Sequence, residues 1–196
     1  MTILRKCLNY DHGSFFFCEM IKSILCKQIH LGCGEKKLEG FINIDSRPSK
    51  YADLICDMTS LPFSNESLEL IYMCHSLEHV EMHKVHQLIA DLYRMLKPSG
   101  KLYISVPDFY TLSSLYLAQK VNLSTIVRAI HGGQEYPGNT HFMSYDNTLL
   151  TSILANAGFQ NIYRYEPEEL LPHNFSDTST YEIAGMRISL NLCAAK

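Results

Sequence analysis

The sequence predicts an α/β domain built on a largely parallel sheet. Two observations carry this expectation. Short apolar runs of strand length recur at 28–31, 41–44, 52–56, 68–73 and 101–106, ending on small or acidic residues. Between the last two, Val85, Leu88, Ile89, Leu92 and Leu96 recur at helical spacing, and Lys97-Pro98-Ser99-Gly100 then supplies a basic last turn and stop residues. Strands alternating with helical connections favour a parallel sheet covered on both faces.

The remaining elements follow in order. Residues 14–26 form a candidate helix with Phe16, Met20 and Ile24 on one face, so 1–27 is read as an N-terminal helical or lid segment before a domain at 28–196. Residues 109–130 read as one or two helices carrying Leu112, Leu115, Ile126 and Ile130. After the glycine-rich loop 132–139, Ser144 is the expected N-cap of a helix that ends at Gly158. Residues 159–165 and 187–193 are final strands, expected to pair antiparallel.

Bulk properties narrow the function classes. The 196 residues suit one α/β domain with a full core. A net charge of -3 offers no basic footprint for nucleic acid. The seven cysteines are scattered without C-x-x-C spacing, as expected of reduced thiols in a cytoplasmic protein. The apolar patch Phe15-Phe16-Phe17 is interrupted by Glu19 and Lys22, too short for a membrane span or secretory segment.

The chemistry-bearing stretch begins at Leu31-Gly32-Cys33-Gly34, a Gly-x-Gly turn after the first strand, and continues to Asp45 at the tip of the second. Glycines let backbone approach a ligand closely, and a carboxylate there is placed to accept from a ribose diol. This reads as a nucleoside-cofactor site. Only ten residues separate Gly34 from Asp45, below the dozen or more of an ordinary parallel crossover, so the first helix is expected to shrink to a turn or loop. The acid comes too early for a nicotinamide dinucleotide motif, and its third glycine is absent.

These pieces, continued by Cys56-Asp57-Met58, His75-Ser76-Leu77-Glu78-His79 and Ala157-Gly158-Phe159, resemble in order and spacing the class I S-adenosylmethionine-dependent methyltransferases, especially small single-domain members. The resemblance implies a three-layer Rossmann-like sandwich, with a seven-stranded, mostly parallel sheet whose last strand is antiparallel. It implies that S-adenosylmethionine lies over Gly32, Cys33 and Gly34. Asp45 would hold the ribose, Asp57 the adenine amino group and Met58 the ring, while His75 and Ser76 border the sulfonium. Lys36 or Lys37 would replace the positive end of the missing helix.

Methyl transfer from a sulfonium needs mainly in-line positioning, worth up to ~10 kcal/mol. A hydroxyl or amine acceptor also needs a base. His75, His79 and His141 are the candidates, with Glu78 beside them. The expected reaction transfers a methyl group to a small-molecule or carbohydrate-type acceptor. The alternative is a non-catalytic module that binds S-adenosylmethionine or S-adenosylhomocysteine and acts as a partner or sensor.

His75 to His79 also fits H-x-x-E-H, a zinc-protease pattern, but it begins where a strand ends, so no metal site is expected. His83 and His86 read as solvated residues at a helix start. Tyr110, Tyr136 and Tyr145 fit either an acceptor pocket or core packing.

Overall fold

The computed structural model describes residues 27–136 and 138–196, so the expected helix at 14–26 lies outside the described residues. The strands are β1 (Gln28–Leu31), β2 (Ile42–Asp45), β3 (Leu54–Ile55), β4 (Leu68–Cys74), β5 (Leu96–Pro107), β6 (Gln160–Arg164), β7 (Glu182–Ile183), β8 (Met186–Arg187) and β9 (Ser189–Ala195). The helices are α1 (Met82–Met95), α2 (Phe109–Leu117), α3 (Leu123–His131), α4 (Asn147–Asn156) and the single turn α5 (Pro167–Leu170). Seven strands form one sheet in the order β3-β2-β1-β4-β5-β9-β6, and β7 with β8 makes a separate small hairpin.

All pairings in the large sheet are parallel except those of β9, which is antiparallel to β5 and to β6. The α/β sandwich of seven strands with an antiparallel last strand is therefore as expected. The last strand is inserted between β5 and β6, so β6 takes the edge.

Strand alternation sorts the side chains between two faces. On one face Ile29, Leu31, Ile71, Met73, Leu102, Ile104 and Leu192 pack against Val85, Leu88 and Leu92 of α1 and Leu150 and Leu154 of α4. Leu92 is fully buried there, and truncating such a leucine costs about 2–5 kcal/mol. The opposite face carries polar residues among apolar ones, including His30, Asn43, Tyr72 and Ser105. Its smaller cluster joins Leu38, Tyr72, Cys74, Tyr165, Leu171 and Cys193. Among the described residues this face is covered by loop and the short turn α5 rather than by long helices.

Three local expectations are corrected. The N-cap of α4 is Asp146, which accepts from the Leu149 amide at 2.8 Å; Ser144 lies two residues too early. Strand β5 starts at Leu96, directly after α1, and Lys97–Gly100 form a bulge between the pairs Leu68–Leu96 and Leu70–Lys101, with Ser99 at φ +66. The third strand shrinks to Leu54–Ile55. The strand-end thiols Cys33, Cys56 and Cys74 are buried, and so is Cys193.

Candidate functional site

The carboxyl ends of β1, β2 and β4 meet at the Gly-x-Gly turn. Gly32 and Gly34 have φ of +73 and +56, which side chains rarely adopt. The Gly32 and Cys33 amides both donate to the Ile44 carbonyl, and the Gly34 amide donates to Asp45 Oδ2 at 2.8 Å. A Cβ on Gly32 would overlap the Ser76 hydroxyl, while one on Gly34 would meet nothing within 4 Å. The first glycine thus permits close packing of β1 against β4, and the second faces open space. Ser76 Oγ lies 3.3 Å from the Leu31 carbonyl and 3.0 Å from that of Cys74, tying the two strand ends together.

Asp45 is nearly buried. Its other oxygen accepts from the Arg47 amide at 2.9 Å, with Arg47 Nε at 3.5 Å. A carboxylate has about four acceptor positions, so a diol can still be accommodated. The Arg47 guanidinium stacks on the Tyr136 ring, 4.5 Å from the ring centroid, which brings Tyr136 over this corner. Burial, with the Asp45 and Asp53 carboxylates nearby, pushes the Cys33 thiol up to about 12, which keeps it an inert neutral wall.

The crossover from β1 to β2 contains turns only, as its length predicts. A polar hub replaces the missing helix. Asn43 Oδ1 accepts from the Leu38 amide (2.8 Å) and from His30 Nδ1 (3.0 Å); its amide nitrogen donates to the Leu38 and Phe41 carbonyls and to Asp53. Lys37 is engaged with Asp53 at 2.7 Å, so it does not stand in for a helix end. Lys36 remains beside the turn. It lines a cleft of about 420 Å³ with Gly32, Cys33, Gly34, His75 and the 176–178 segment. Sequence reading missed the Asn43 hub, because only the fold shows that Asn43 faces away from the main core.

Asp57 follows β3 and caps the 3-10 turn Met58–Ser60, its Oδ1 accepting from both the amide and the hydroxyl of Thr59. Met58 is partly buried against the main core, and its Cε approaches the Gly32 position. The turn former and the candidate adenine ligand are thus the same carboxylate, whose Oδ2 is left for another donor.

Beyond β4 the chain turns sharply at His75, whose φ of +47 is unusual for a residue with a Cβ. The 3-10 turn Leu77–His79 then buries Glu78 completely. His75 Nδ1 is 3.5 Å and His141 Nε2 4.0 Å from Glu78 Oε1. The His79 and His141 rings meet edge to face at 4.7 Å. The structure thus brings His75, His79 and His141 around one carboxyl, of which only His75 lines the cleft described above. Burial lowers His75 and His141 to about 4, helped at His141 by the neighbouring His79, and pushes Glu78 up to about 8. Tyr145 belongs to the core, Tyr110 projects into solvent, and His83 and His86 are exposed on α1.

A family described as "Methyltransferase domain" matches residues 39–104. A demethylmenaquinone methyltransferase of Protochlamydia amoebophila is 31% identical over 144 residues, covering 69% of this chain and 57% of that protein. Its counterpart from Chlamydia muridarum is 24% identical and covers 58% and 48%. The chain spans about half the length of the curated relatives it matches. An Archaeoglobus fulgidus structure described as a SAM dependent methyltransferase aligns with a TM-score of 0.53 at 16% identity, covering 94% of this chain and 95% of that one. A Thermotoga maritima methyltransferase structure aligns at 0.52 and 15%, covering 93% of each. Among the described residues no helix is long and apolar enough to cross a membrane. The matched segment, the antiparallel strand inserted between β5 and β6, and the glycine turn tied to Asp45 together support a class I, Rossmann-like methyltransferase.

Proposed function

We propose that the chain transfers a methyl group from S-adenosylmethionine to a small-molecule acceptor. The observation that carries this reading is Asp45, a nearly buried carboxylate locked to the Gly34 amide at the edge of an open cleft. The residues fit the cofactor: a glycine turn with open space above Gly34, a diol acceptor in Asp45, and Lys36 to face a carboxylate. Asp57 and Met58 would hold the adenine. When bound, the cofactor supplies an activated methyl on a sulfonium.

The chain's own contribution is to hold and to orient. His75 presents a neutral ring at the β4 tip, beside the cleft, where Ser189 holds its orientation. His79 and His141 stand behind it. Tyr136, stacked on Arg47, is placed to exclude water. The names of the relatives, demethylmenaquinone methyltransferases, favour a quinone-type acceptor over a carbohydrate.

Calorimetry with S-adenosylhomocysteine tests the site. The chain should bind it at a single site, and Asp45→Ala should weaken binding by roughly 10–100-fold, the loss of charge-assisted hydrogen bonds. Equal binding by the variant, or none by the parent chain, sinks the assignment. Transfer of an isotope-labelled methyl group into extracted quinols separates an enzyme from a module that only binds.

A further inference from the structure

The Glu78 cluster holds more acceptors than a base needs. Both Glu78 oxygens are fully buried and lack a hydrogen-bond partner among the described residues. Each surrounding histidine spends its N–H elsewhere. His79 Nδ1 donates to the Thr140 carbonyl (3.1 Å) and His141 Nδ1 to the Ala129 carbonyl (3.0 Å). The Ser189 hydroxyl donates to the Thr178 carbonyl (2.7 Å), so it accepts from His75 Nε2–H at 2.8 Å. Those partners fix the tautomers and leave each ring one lone pair. His141 Nε2 and His75 Nδ1 turn theirs toward the carboxyl. Acceptors facing acceptors in a dry site need a shared proton or a cation between them.

We propose that Glu78, His79 and His141 bind a divalent transition-metal ion, zinc being the best chemical match. One donor atom from each lies within 4.8 Å of the others. Zinc bonds of about 2.0–2.1 Å place tetrahedral donors about 3.3 Å apart, so the side chains must close by about an ångström or more. Two imidazoles and one carboxylate are an ordinary zinc ligand set that leaves a fourth position open. The backbone carbonyls behind His79 and His141 are the outer partners that orient metal-binding imidazoles.

This is not the H-x-x-E-H arrangement. His75 and His79 do not share a helical face; the second imidazole comes from His141, beyond α3. The inference is independent of the cofactor reading, because its test measures metal alone.

The full chain, stripped with chelator, is titrated with zinc by calorimetry and with cobalt(II) by visible absorption. The expected result is one-to-one saturation with a cobalt spectrum of low-coordinate nitrogen and oxygen ligation. Glu78→Gln and His141→Ala should each weaken binding by at least ~100-fold, more than loss of an outer partner costs. His83→Ala with His86→Ala, both exposed on α1, should leave binding unchanged. Absence of saturable binding, or retention in Glu78→Gln, overturns the proposal; so does equal loss in the α1 variant. Where His141→Ala fails to fold, the nearly isosteric Glu78→Gln decides.

Discussion

Asn43 and Glu78 are both buried polar side chains near the carboxyl edge of one sheet, and they are treated in opposite ways. Asn43 has its carbonyl and its amide paired with His30, Leu38, Phe41 and Asp53. Glu78 has neither oxygen paired, and imidazoles with spare lone pairs stand around it. The first cluster is closed and fixes a crossover too short for a helix. The second is open, and an open polar cluster has no structural reason to exist. Hydrogen-bond bookkeeping therefore separates scaffold from site where burial and polarity do not.

Swapping the two chemistries should produce opposite effects. Asn43→Asp removes the donor to the Leu38 and Phe41 carbonyls and sets a second carboxylate against Asp53, at an observed 2.9 Å. It should cost about 3–5 kcal/mol in urea denaturation, the range for an uncompensated buried charge. A cost below about 1 kcal/mol would show that the hub is not what holds the crossover.

The mirror change, Glu78→Gln, supplies an amide donor to lone pairs at His75 and His141. In chelator-treated protein it should stabilise by about 1 kcal/mol. With zinc at a hundred times its dissociation constant the order should reverse, since the parent chain alone gains about 2.7 kcal/mol by mass action. Thermal melts with and without zinc read both.

The smallest effect is expected at the rim of the closed cluster. Burial tends to raise the Asp53 carboxyl, but hydrogen bonds from Lys37 and Asn43 hold it below the usual carboxylate range. A carboxyl depressed by folding contributes stability above its unfolded value, and that contribution is lost as pH falls through the folded value. Lys37→Met should cost about 0.5 kcal/mol at neutral pH and move acid unfolding to higher pH. An unchanged acid midpoint would remove Lys37 from the network.

Much of this was legible in the chain because it is local. The runs ending at Leu31, Ile44 and Met73 announce strands, and the spacing from Gly34 to Asp45 alone forbids a full first helix. The cap of α4 was misplaced by two residues because Ser144 and Asp146 are both good capping residues, and tertiary packing chose between them. The meeting of Glu78 with His141 left no trace in local pattern. It depends on where the loop after α3 folds back, with Phe142 donating to the Glu78 carbonyl at 2.8 Å. Asn43 was read as a strand residue before an acid, because nothing in sequence tells which face its side chain takes.

The insertion of β9 between β5 and β6 bears on how the molecule is made. During synthesis β5 emerges with one open edge, and β6 follows with no strand beside it, until residues 189–195 leave the ribosome. The sheet cannot be completed in the order it is translated. For that interval the nascent chain carries an unpaired apolar edge, the kind that recruits other chains. A ribosome stalled before Ser189 should hold a chain that a holdase chaperone binds, and release of a few more residues should end that dependence.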